Sequence, residues 1–141
     1  MINSANNAFT SNTLVGGTKS IYLDAHSNNN YFISTYQASA STDGIYIYLS
    51  SGNVFNDGYV SGNTNGISLD YASGNTFSTT KVTNNSYGTL LSNAQGNSFA
   101  LDNNANGIFL NYSNGNTITN TQIAGQNEIY IYSGANTIIN G

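Results

Sequence analysis

The 141-residue chain contains no cysteine, no proline and no tryptophan. Without cysteine no disulfide can staple the fold, and CxxC redox pairs and cysteine zinc sites are excluded. Arginine is absent too, and Lys19 and Lys81 are the only basic side chains. Nucleic-acid binding rests on several Lys and Arg contacts to phosphate, so no nucleic-acid partner is expected. Six acidic residues (Asp24, Asp43, Asp57, Asp70, Asp102 and Glu128) give a formal charge of −4. No apolar run approaches the roughly 18–20 residues of a membrane span, so membrane insertion is not expected either.

Charged residues make up 6% of the chain, against a usual value of about 25%. Asparagine fills the gap, with 26 residues beside 33 serines and threonines and 15 glycines. The low net charge and the 17 aromatic residues favour a folded chain over a disordered one. Solubility must come from amides and hydroxyls, which leans towards an extracellular or cell-surface protein. The length suits one domain, residues 1–141.

A repeat organises the whole chain. The string GNTF at Gly74–Phe77 has relatives ending at Phe9, Phe32, Phe55, Phe99, Ile118 and Ile138, with steps of 23, 23, 22, 22, 19 and 20 residues. About ten residues before each of the later ones lies a second string: SIYL at Ser20, GIYI at Gly44, GISL at Gly66, GTLL at Gly88, GIFL at Gly107 and EIYI at Glu128. Five residues after the Phe or Ile comes a third apolar position: Leu14, Val60, Val82 and Ile123, with Gln37 or Ala38 in the second repeat. The fifth repeat looks about three residues short around Leu101–Ala105. The consensus is G-I-x-L-x-x-x-x-G-N-T-F-x-x-x-x-V-x-x-N.

Alternation of period two within G-I-x-L is strand-like, and Ile, Tyr, Val, Phe and Thr favour strands. Gly, Asn, Ser and Asp between them favour turns. A unit of this size cannot bury its own apolar face, so the units must stack and pair in parallel, roughly 4.8 Å apart. Six to seven rungs are predicted, phased on Phe9, Phe32, Phe55, Phe77, Phe99, Ile118 and Ile138. Those residues form one inward column. Ile21/Ile45/Ile67/Thr89/Ile108/Ile129 and Leu23/Ile47/Leu69/Leu91/Leu110/Ile131 form two more. The column Asn7/Asn30/Asn53/Asn75/Asn97/Asn116/Asn136 is expected to be an amide ladder, each side chain bonding its neighbouring rungs.

The G-I-x-L and G-N-T-I/F pattern, from Asn6 to Ile139, resembles the right-handed parallel β-helix repeats of the NosD-like or CASH-type group. The resemblance implies an all-β, right-handed parallel β-helix. It is poor for function, because lyases, hydrolases, epimerases, adhesins and surface-layer proteins share the fold. A curlin-like β-solenoid is the rival. It would need a column of glutamines, which Gln37, Gln95, Gln122 and Gln126 do not make.

Two outward columns carry the candidate binding residues: Tyr22/Tyr46/Ser68/Leu90/Phe109/Tyr130 and Asp24/Tyr48/Asp70/Ser92/Asn111/Tyr132. The stripe Tyr22, Tyr46, Tyr48, Phe109, Tyr130 and Tyr132 can pack laterally or stack on sugar rings, or simply stabilise neighbouring rungs. No catalytic, cofactor or metal site is assigned. Asp24 and Asp70 share a column two rungs apart, roughly 10 Å, slightly beyond the carboxylate separation of inverting glycosidases. His26 is a lone imidazole near Asp24. Copper would find only Met1 and His26 as soft or imidazole donors. Asn84 and Asn111 begin N-x-S sequons.

Neither end shows an amphipathic capping helix, and the two ends are out of phase in a way that would let copies continue head to tail. The expected function is a non-enzymatic structural solenoid that self-associates end to end as an extracellular filament or surface-fibre subunit. Its partner is then itself, as a homopolymer, with no cofactor. The alternative is a carbohydrate-binding or polysaccharide-cleaving β-helix, with polysaccharide as partner. A third is a spacer segment of a phage or bacterial adhesin.

Overall fold

A computed structural model describes residues 1–40, 42–105, 107–119, 123–124 and 129–139. Glu128, Gln122 and Gln126 lie outside these residues. In order, the strands are β1 (Ala8–Thr10), β2 (Thr13–Val15), β3 (Lys19–Leu23), β4 (Tyr31–Ser39), β5 (Asp43–Tyr48), β6 (Val54–Ser61), β7 (Asn65–Asp70), β8 (Thr76–Thr83), β9 (Tyr87–Ser92), β10 (Ser98–Ala105), β11 (Ile108–Asn111), β12 (Thr117–Thr119), β13 (Ile123–Ala124), β14 (Ile129–Ile131) and β15 (Thr137–Ile139).

They form two parallel sheets. The GNTF-type strands make one, in the order β1-β4-β6-β8-β10-β12-β15, with β2 beside β4 and β13 beside β10. The G-I-x-L strands make the other, in the order β3-β5-β7-β9-β11-β14. Strands adjacent in a sheet are one repeat apart in sequence, so the chain forms the all-β parallel solenoid that the repeat predicts.

The register explains why the repeat residues are what they are. Phe9, Phe32, Phe55, Phe77, Phe99, Ile118 and Ile138 pair successively. The four Phe–Phe steps stack nearly parallel, with ring centroids 4.7 to 5.0 Å apart. Phe55, Phe77 and Phe99 are fully buried, as are Ile45, Ile67, Ile108 and Leu69. The last members of the inward columns differ from the expectation. Ile131 is 40% exposed and Ile138 42%. They sit on the outermost described strands of their sheets, β14 and β15, and are covered from one side only.

The register also settles two ambiguous places. Ala38, not Gln37, pairs with Leu14 and Val60, because an irregularity between Ile33 and Tyr36 absorbs the extra residue. In the fifth repeat β10 is irregular between Ala100 and Asn103 but regains step with β8 at Asn104, which pairs with Val82. The three-residue shortening therefore falls between Asn104 and Ile108, later than the sequence suggests.

Candidate functional site

The Asn column is built by backbone geometry first. Each Asn precedes a GNTF-type strand by one residue and is buried from Asn30 to Asn116. Its Oδ1 accepts two bonds from the rung before. Asn75 Oδ1 accepts the backbone N–H of Asn53 at 2.9 Å and its side-chain amide at 3.0 Å. The same double bond joins Asn7 to Asn30, Asn30 to Asn53, Asn75 to Asn97, Asn97 to Asn116 and Asn116 to Asn136. Buried amides left unpaired would be costly, so the ladder converts a polar column into a rung-to-rung clamp.

A second ladder stands at another corner. Asn63 donates to Asn85 Oδ1 through both its backbone and its side-chain amide, each at 2.9 Å. The V-x-x-N end of the consensus is its signal. Gly66 is required beside it. A Cβ there would come within 2.5 Å of both the Gly88 carbonyl and Val82 Cγ1. One ion pair is also present, set side by side by the register that pairs Ile21 with Ile45. Lys19 Nζ lies 2.8 Å from Asp43 Oδ2, and Asp43 Oδ1 accepts from Asn65 and Ser68 at 2.8 Å each.

The outward aromatic stripe is not continuous. Tyr22 pairs with Tyr46 at 5.4 Å between ring centroids, and Phe109 with Tyr130 at 6.1 Å. Between these pairs the register places Ser68 and Leu90. Tyr46, Tyr48 and Phe109 are half-buried, whereas Tyr130 and Tyr132 are 57% and 63% exposed. The dip between Tyr46 and Phe109 forms an open groove of about 330 Å³ across β5, β7, β9 and β11. Asp70, Ser92 and Asn111, adjacent in register, line it as a polar row.

The local electrostatics follow from this placement. Burial, and then the negative charge of Asp70, raises the Tyr46 phenol above its ordinary value. Tyr22 is raised first by its hydrogen bond to the Asp24 carboxylate. On the other sheet, the Thr83 and Ser61 hydroxyls lower Tyr59, with Thr83 Oγ1 donating to its oxygen at 3.0 Å.

Beside the groove the backbone turns through a column of left-handed residues: Leu49, Tyr71, Asn93 and Tyr112, with φ between 47° and 51°. Bulky side chains rarely adopt this conformation. Here rung-to-rung bonds impose it, with the N–H of Tyr71 donating to the Ser92 carbonyl at 3.0 Å and that of Asn93 to Asn111 at 3.0 Å. Leu49, Tyr71 and Tyr112 consequently stand exposed along the corner. His26 is exposed beyond the end of β3, while Asp24 directly follows β3 and Asp70 ends β7, two steps away in the sheet.

Comparison with protein families matches residues 1–140 to the family described as periplasmic copper-binding protein (NosD). Comparison with curated proteins and with solved structures finds no match. Copper prefers thiolate, thioether and imidazole donors, and the chain has one methionine, one histidine and no cysteine. Met1 packs against the core while His26 is exposed. Among the described residues no three His, Cys, Asp or Glu side chains gather. The donor set does not fit a copper centre. The match over nearly the full length and the stacked parallel coils together place the chain in the NosD family of β-helix repeat proteins.

Proposed function

We propose that this chain is a non-catalytic structural solenoid, working outside the cytoplasm, whose rungs also seat further copies end to end as a filament or surface-fibre subunit. The family's periplasmic description agrees with export. The sameness of successive rung contacts carries the reading. Six steps from Asn7 to Asn136 use one amide clamp, and four from Phe9 to Phe99 use one ring stack. A rung that accepts its own kind supports heterologous, non-closing association. Sedimentation velocity over a rising concentration series tests this. Long linear species growing with concentration are expected, and one sharp small species at every concentration would contradict it.

A second reading is glycan binding, favoured by the groove between Tyr46 and Phe109. Aromatic walls with a polar row suit the apolar face and hydroxyl rim of a sugar ring. Saturable binding to an oligosaccharide, lost in Tyr46→Ala and Phe109→Ala, is expected. Unchanged binding in both variants would remove the groove from consideration.

A further inference from the structure

We infer that the groove between Tyr46 and Phe109 selects a cationic amino sugar, such as a glucosamine unit of a linear glycan, over neutral and acidic sugars. This rests on the glycan-binding reading of the groove. Charge complementarity carries it. Asp70 lies in the polar row between the two aromatic walls. Among the described residues the ion pair is Lys19 with Asp43, so the Asp70 carboxylate faces the groove without a protein cation. Lys81, the other basic residue, lies on β8 in the opposite sheet.

The walls suit an ammonium as well. Lys19 Nζ sits 4.4 Å from the Tyr46 ring centroid and already engages that wall, which leaves the Phe109 ring for a ligand's ammonium. Phe109 presents a second ring across the groove. Ser92 and Asn111 supply the hydroxyl and amide that a sugar's hydroxyls need. An acidic glycan would meet the Asp70 charge and a chain of formal charge −4.

The test is isothermal titration of the whole chain with three oligosaccharides of equal length: glucosamine, N-acetylglucosamine and galacturonate oligomers. The glucosamine oligomer is expected to bind about fivefold more tightly than its acetylated counterpart, the upper end for a partly exposed ion pair. In Asp70→Asn that preference disappears. Equal affinity for the two in the wild-type chain, or tighter binding of galacturonate, overturns the charge selection and leaves glycan binding standing. Failure of all three to bind overturns the glycan reading, and the selection with it.

Discussion

Asn53 and Asn75 are joined twice, because a single side-chain oxygen on Asn75 accepts both the backbone and the side-chain amide of Asn53. Both residues are fully buried. Replacing Asn75 with Ala leaves two buried donors of Asn53 without a partner. Each unsatisfied group costs about 1–3 kcal/mol. Asn75→Ala is therefore expected to lower the unfolding free energy by about 2–5 kcal/mol in urea titration. Asn75→Asp keeps the Oδ1 acceptor but sets a second, buried oxygen against the Ser50 carbonyl and Asn97 Oδ1, so it should cost at least as much as Ala.

The ring stack gives a second, independent handle. Phe77 lies between Phe55 and Phe99, with centroids at 4.7 and 5.0 Å, and is fully buried. Phe77→Ala is expected to destabilise by about 3–5 kcal/mol, as for other buried aromatics truncated to a cavity. Phe77→Leu should cost distinctly less. Equal losses for the two would mean that the column is not packed as described.

Two glycines should respond unequally to the same change. A Cβ at Gly66 would press into the Gly88 carbonyl and Val82, whereas one at Gly74 would meet nothing within 4 Å. Gly74 has φ +60°, so Ala there carries only the left-handed penalty of about 1–2 kcal/mol. Gly66→Ala should exceed it clearly in thermal or chemical denaturation.

The strained corner offers a gain. Tyr71 holds φ 49° and is exposed, and Asn tolerates that conformation far better. Tyr71→Asn is expected to stabilise the chain by about 0.5–1 kcal/mol, within the cost of a left-handed residue. A loss of stability would show that the ring packs usefully where it stands.

Alkaline pH separates the tyrosines. The folded-state pKa of Tyr46 is raised above the ordinary value of 10.0, so its contribution is complete below that value. It is lost as pH rises towards the folded pKa, because the unfolded chain ionises first. Tyr59 is lowered and works in the opposite sense. Tyr46→Phe should therefore flatten the fall of stability above about pH 10, whereas Tyr59→Phe should remove a gain that builds as pH rises towards 10. Denaturant midpoints measured across that range check both signs.

Much of this was legible because stacking makes every repeat position one environment. Gly-Asn-Thr-Phe could be recognised as turn, amide and core ring before any pairing was known. The second ladder of Asn63 and Asn85 was less visible, since those residues sit among many other asparagines and two repeats alone show it cleanly. The Lys19–Asp43 pair was within reach of the sequence, because Ile21 and Ile45, also 24 apart, set the register that brings the two side by side. The groove was hidden for another reason. It arises where Ser68 and Leu90 interrupt a column of rings; the column order could be read from the repeat, but not the cavity that the smaller side chains leave.

Cryo-electron microscopy of the purified chain at assembling concentration tests the structural reading most directly. Uniform fibres are expected, with a strand repeat near 4.8 Å along the axis that continues unbroken across the joint between copies. Discrete single particles, or closed oligomers joined through the aromatic face, would contradict end-to-end seating of the rungs.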